Sequence, residues 1–129
     1  MLLLTVFFVL NYSCHTSQSS RTSGNNSKLI GVWKNVSPGQ NGEMIKFITK
    51  DHFVWTWSFD NKVMASAGGI YEFDGETYTE TLEYGTENQN NFIGKKAIVK
   101  ITFEGNNKFH YSGMLAGRMP LNEVWERIE

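Results

Sequence analysis

A carboxylate set in a row of apolar positions is the first feature of this sequence with chemical consequences. In the run from Thr77 to Tyr84, Tyr78, Glu80, Leu82 and Tyr84 share one side of a period-two pattern, and Thr77, Thr79, Thr81 and Glu83 share the other. The side carrying Tyr and Leu is the one that folding buries, and it takes Glu80 out of water with it. A carboxyl in that setting has to be hydrogen-bonded, paired or protonated. Two uses stay open. Glu80 orients the polar group of a ligand or acts as a general acid or base, or it is a structural carboxylate satisfied by Tyr78, Tyr111 or a water. A second carboxylate, Glu123, shares a face with Trp125 and Arg127. Its plainer use is a salt bridge that fixes one end of the fold; a proton shared with Glu80 is the alternative if both face one interior.

Other chemistry is sparse. The chain holds one cysteine, Cys14, so it has no internal disulfide and no pair of thiols for a metal. His52 and His110 alternate onto the polar side of their segments, and no zinc or haem site is expected from them. No nucleophile has its base at a recognisable spacing, and no glycine-rich phosphate loop is present. Neither a metal nor a cofactor is expected. The net charge is −1 with acidic and basic residues mixed, so nothing marks a nucleic-acid surface.

These residues need elements to position them, and the elements are strands. Aromatic residues make up 14% of the 129-residue chain, with Thr, Val and Ile between them. From Lys28 onward turn signals recur every 8–12 residues or so, the spacing of a β-sandwich or barrel, and no stretch keeps a helical period with caps. The pattern predicts eight strands: Leu29–Val36, Glu43–Thr49, His52–Phe59, Met64–Phe73, Glu76–Tyr84, Lys95–Glu104, Lys108–Leu115 and Leu121–Ile128. Pro38 with its flanking glycines, Asp60-Asn61, Asp74-Gly75 and Gly105-Asn106-Asn107 supply the turns, and the longest polar loop runs from Gly85 to Asn91. Short connections make consecutive strands neighbours. Eight antiparallel neighbours close best as an up-and-down barrel, which removes exposed edges.

Alternation then assigns an interior. Phe53, Trp55, Trp57 and Phe59 share one face of the third strand, Ala97, Val99, Ile101 and Phe103 one face of the sixth, and Phe109 and Tyr111 one face of the seventh. Trp55, Trp57, Tyr71, Tyr78, Tyr84, Tyr111 and Trp125 are expected to line the inside with Glu80. They form either a pocket for a flat or apolar ligand, with tyrosine hydroxyls as polar handles, or a plain aromatic core. An eight-stranded barrel is wide enough for one small ligand or for its own side chains. The small residues Ala65, Ala67, Gly68 and Gly69 face that choice directly: they leave space, or let aromatics pack against their strand.

The N-terminal part reads as an address. Leu2 to Leu10 is apolar except for Thr5, too short for a membrane span and suited to the core of a secretion signal. Ser13-Cys14 resembles the end of a bacterial lipobox, which implies cleavage before Cys14 and lipidation of its thiol. His15 to Ser27 is polar and suits a tether. The organisation expected is therefore a signal over 1–13, lipidated Cys14 and tether over 14–27, and a barrel over 28–129. No Asp follows Cys14, which by resemblance to Gram-negative lipoproteins implies the outer membrane.

Gly31-Val32-Trp33 resembles the Gly-x-Trp of the lipocalins and related calycin barrels, and Arg127 lies in the last strand within Glu123-Val124-Trp125-Glu126-Arg127. That resemblance implies that Arg127 packs across Trp33 and closes the barrel base, a cation–π contact worth on the order of 1 kcal/mol. Residues 28–129 also resemble a bacterial family of lipocalin-like lipoprotein domains, through the run Gly68 to Glu80 and the Glu-Val-Trp-Glu-Arg ending. The resemblance implies fold and export and brings over no substrate. The functional expectation is an envelope-anchored module that binds a small apolar or aromatic molecule and reaches the membrane through Cys14. An acid–base enzyme centred on Glu80 and a filled barrel that works through its outer surface are the alternatives.

Overall fold

The computed structural model describes residues 26–129. The expected signal, Cys14 and all of the expected tether except Asn26 and Ser27 lie outside the described residues. Asn26–Lys28 form a single 3-10 turn leading into the barrel. Eight strands follow: β1 (Gly31–Asn35), β2 (Glu43–Ile48), β3 (His52–Phe59), β4 (Lys62–Phe73), β5 (Thr77–Gly85), β6 (Lys96–Glu104), β7 (Lys108–Leu115) and β8 (Met119–Arg127). Each pairs antiparallel with its sequence neighbour, and β8 pairs with β1, so the sheet is a closed up-and-down barrel.

Local chemistry sets the corners. Asp60 and Asn61 take φ of 49° and 59°, the left-handed pair of a type I′ turn, whose twist matches the flanking strands. The Asp74 carboxylate accepts hydrogen bonds from the Glu76 and Thr77 amides at 2.9 and 2.7 Å, which ties the β4–β5 turn. The segment expected as a polar loop contains a short 3-10 helix, Glu87–Phe92. It is tied to β4: the Thr86 amide donates to the Ser66 carbonyl at 2.9 Å and Asn88 Nδ2 donates to the Met64 carbonyl at 3.0 Å.

The base is closed where Arg127 meets Trp33. The two are register partners, and the guanidinium carbon lies 4.2 Å from the indole centroid. Arg127 also donates to the carbonyls of Lys28 at 2.6 Å and Ile30 at 2.7 Å, while Trp33 Nε1 donates to the Leu29 carbonyl at 2.8 Å. Gly31 is required there. Its φ is +148°, and a Cβ would sit 2.3 Å from Arg127 Nη1 and 2.5 Å from the Glu129 carbonyl oxygen. Above this base the barrel is filled. Phe109 stands edge-on to Trp33 at 4.6 Å between centroids, and Phe73, Phe103 and Phe109 continue the contacts at 6.0 to 6.4 Å.

One register shift and one rim position take two aromatics out of the interior. In β5 the register against β4 shifts between Gly68 and Gly69: Leu82 pairs with Gly69 but Tyr84 pairs with Gly68, leaving Glu83 as the extra residue. Tyr84 is thereby turned to the outer surface, where it is 49% exposed and covers the bare Cα of Gly68; a Cβ there would lie 2.7 Å from the Tyr84 hydroxyl oxygen. Phe59 is also outside the core, at 47% exposed, because β2 begins at Glu43 opposite Ser58 and no wall extends beyond it. The small residues of β4 face the large ones of β3: Ala67 pairs with Trp55 and Ala65 with Trp57.

Candidate functional site

The half of the barrel opposite the Trp33–Arg127 base is not filled. A cavity of about 360 Å³ occupies it, at the end bounded by the β1–β2 loop, the two hairpin turns after β3 and β7, and the 3-10 helix. The strands supply apolar walls: Met44 from β2, Trp55 from β3, Leu82 from β5, Ala97 from β6, Leu115 from β7 and Leu121 from β8. Phe92 and Gln89 of the 3-10 helix cover part of the mouth. Tethering of that helix to β4 through Thr86 and Asn88 holds them over it.

The polar groups converge on the floor. Glu80 is 3% exposed, and so is Lys46, whose Nζ lies 2.7 Å from Glu80 Oε1. The Tyr78 hydroxyl donates to the same oxygen at 2.9 Å, and the Tyr111 hydroxyl donates to Oε2 at 3.2 Å. Both oxygens of Glu80 are therefore engaged. Four rings surround the ammonium: Tyr111 at 4.6 Å, Trp125 at 5.0 Å, Phe53 at 5.7 Å and Tyr78 at 5.9 Å from its nitrogen to their centroids. Ring faces carry negative quadrupole density and offset part of the loss of hydration of a buried cation. Burial, then the Glu80 charge, pushes the Tyr78 and Tyr111 hydroxyls well above the usual tyrosine range. They stay protonated and act as donors.

Glu123 also lines the cavity and is only partly buried. Its Oε2 accepts a hydrogen bond from Trp125 Nε1 at 3.0 Å. Its Oε1 makes no hydrogen bond to any of the described residues. Burial raises the pKa of its carboxyl; Lys46 and the Trp125 N–H oppose that rise, and Glu80 adds to it. The expected salt bridge to Arg127 does not form, because Arg127 is turned to the base and committed to backbone carbonyls there. Nor does a hydrogen bond join Glu123 to Glu80 among the described residues; both Glu80 oxygens are taken, Oε1 by Lys46 and Tyr78 and Oε2 by Tyr111.

The expected lining residues divide by height in the barrel. Glu80, Trp55, Tyr111 and Trp125 line the cavity together with Glu123. Tyr78 lies beneath the floor, 1% exposed. Tyr71 is near the closed end, where its hydroxyl donates to the Thr49 carbonyl at 2.7 Å; burial, helped by the Asp51 charge, pushes its pKa up to about 12. Trp57 is half-buried beside the β1–β2 loop, donating from Nε1 to the Asn41 carbonyl at 2.7 Å. Tyr84 is outside, for the reason given above. Sequence reasoning named two partners of Glu80 but missed Lys46. The available signal was Glu80 itself, since a buried carboxylate calls for a cation; alternation in β2 does not single out the face with Met44, Lys46 and Ile48. His52 and His110 are exposed and pair with Asp51 at 2.6 Å and Glu104 at 3.2 Å. No group of three or more His, Cys, Asp or Glu among the described residues could hold a metal ion.

No protein-family model matches this chain, and no curated protein matches it. Among solved structures it is similar to a redesigned β-barrel, at 16% identity and a TM-score of 0.56, over 85% of this chain and 100% of that one. At that identity the likeness bears on the fold alone, and it agrees with the closed eight-stranded topology.

Proposed function

We propose that this protein is a binding module that holds a small, largely apolar molecule in the open half of its barrel. The observation that carries this reading is the division of the barrel interior. One half is packed with aromatics, and the other holds a cavity of about 360 Å³ with apolar walls and a few convergent polar groups at its floor. That is the common make-up of small-molecule sites, which run from about 300 to 1,000 Å³. The cavity favours an open-lumen protein over a filled barrel acting through its surface. In the same proposal Cys14 carries the lipid that holds the module at the cell envelope, by resemblance to the lipobox.

A second reading, acid–base chemistry inside the barrel, is favoured by one observation. Glu123 lines the cavity, its Oε1 has no hydrogen bond to the described residues, and its carboxyl holds its proton more tightly than usual. In that reading the acid–base role belongs to Glu123 and not to Glu80, whose oxygens are both occupied.

Native mass spectrometry of the full chain, purified gently from its own host, tests the binding reading. A reproducible extra mass that is lost on denaturation, and lost in an Ala97→Phe variant that fills the cavity, supports it. A bare mass in both proteins, with no uptake of added apolar molecules, overturns it.

A further inference from the structure

The chemistry of the ligand can be taken one step further, resting on the binding reading above. The charged groups at the cavity floor do not balance. Lys46 supplies one cation, and Glu80 and Glu123 supply two carboxyls. Lys46 is spent on Glu80 at 2.7 Å and is enclosed by four rings, so it has little left to offer an incoming anion. Glu123 is the opposite case. It is only partly buried, and among the described residues it accepts a single hydrogen bond, from Trp125, which leaves its second oxygen for something in the cavity. The aromatic walls add to this. Trp55, Phe92, Tyr111 and Trp125 all contribute to the lining, and ring faces attract organic cations.

We propose that the cavity recognises an organic ammonium: an apolar body among the aromatic walls, with its cationic head on Glu123. A head of that kind donates to the open oxygen of Glu123 and restores the charge balance of the floor. A carboxylate head would instead meet Glu80 and Glu123 with Lys46 already paired. At roughly 30 Å³ per water-sized group, the cavity has room for about a dozen non-hydrogen atoms. The titratable and charged groups facing Glu123 are Lys46 from β2, Glu80 from β5 and Tyr111 from β7. Of these Glu123 is the least enclosed. Because burial raises its pKa, ammonium binding strengthens as pH rises and Glu123 loses its proton.

The test uses three probes with one body and different heads: phenylbutylamine, phenylbutanol and phenylbutyrate. Each is titrated against the full chain, following the fluorescence of Trp55 and Trp125 in the cavity wall. The amine is expected to bind about tenfold or more tighter than the butyrate, with the alcohol between, since a charge-assisted hydrogen bond separates them. Glu123→Gln keeps the acceptor for Trp125 Nε1 and removes the charge. It is expected to weaken the amine by about tenfold and leave the alcohol unchanged. Equal affinity for the three heads, a preference for the butyrate, or an amine preference that survives Glu123→Gln overturns the inference and leaves the binding reading standing. If none of the three saturates, the cavity does not take apolar molecules of its own size, and the binding reading falls together with the inference.

Discussion

Replacing Lys46 by Met removes the ammonium and keeps an apolar stem of similar length among the same rings. Glu80 then stays buried at 3% exposure and keeps, among the described residues, the hydroxyls of Tyr78 and Tyr111 at 2.9 and 3.2 Å as partners. Removing one member of a buried pair typically costs about 3–5 kcal/mol, because the remaining charge is left uncompensated. The two surviving hydroxyl donors put this case at the lower end, about 3 kcal/mol. For a domain near 100 residues that corresponds to a loss of about 12–24 °C in Tm. The assay is urea unfolding followed by far-UV circular dichroism, with an unchanged slope showing that the loss is one of stability. The partner experiment is Lys46→Met combined with Glu80→Gln. It replaces the pair by neutral groups and is expected to return to within about 1 kcal/mol of the parent, since a buried pair is often no better than a neutral replacement. A Lys46→Met variant as stable as the parent, or a double variant no better than the single, would refute the claim that the two charges hold each other in the core.

Glu123 predicts a pH signature. Its folded-state pKa is raised, so its proton favours the folded state below the unfolded carboxyl value, about 4.3, and that contribution is lost as pH rises through the folded value. Glu123→Gln should therefore gain stability relative to the parent as pH rises above about 4.3, read from unfolding midpoints at each pH; a gap that stays constant with pH contradicts the assignment. Tyr71 carries the same sign at high pH. Its folded pKa of about 12 lies above the ordinary 10.0, so its contribution is complete below pH 10 and is lost as pH rises towards 12, and a tyrosinate absorbance titration of the parent against Tyr71→Phe should show the step near 12 missing, with Tyr78 and Tyr111 still protonated in both. At neutral pH Tyr71→Phe also leaves the Thr49 carbonyl without its donor, at a cost of about 1 kcal/mol in urea unfolding. Gly31→Ala drives a Cβ into Arg127 and the Glu129 carbonyl at a positive φ, and should cost about 1–3 kcal/mol by the same assay; a neutral result would mean that the base does not constrain Gly31.

Much of the barrel is legible in the amino-acid sequence because its causes are local. Turn residues such as Asp60-Asn61 and Asp74-Gly75 act within a few bonds, so the number and order of strands follow from them, and observed strand ends differ from the pattern by at most two residues. Short connections force neighbours to pair, which leaves closure as the way to satisfy the edges. Period-two alternation likewise makes Glu80 an inward carboxylate before any coordinates are known. The Trp33–Arg127 contact was reached through resemblance, and the structure adds why residue 31 is glycine: the guanidinium lies where its Cβ would be.

The site itself belongs to the tertiary structure. Lys46 is separated from Glu80 by 34 positions, and its own strand points the reader the wrong way: Ile45 and Phe47 make the more apolar face, yet Phe47 is 46% exposed and Lys46 is inside. Only curling the sheet round a common axis tells which face of β2 meets the face of β5 carrying Glu80. Tyr84 stands outside where simple alternation puts it inside, because one extra residue, Glu83, shifts the register and reverses the side on which a strand residue stands. Nor could alternation tell a filled interior from an open one. Both halves alternate alike, and they differ in the sizes of side chains that meet across the barrel: Phe73, Phe103 and Phe109 in one, Leu82, Ala97 and Leu115 in the other. Strand order, turns and facing are dictated by forces that act between neighbours in the chain. The cavity and its unbalanced charges arise from the fit of side chains far apart in sequence, and that fit exists only once the barrel has closed.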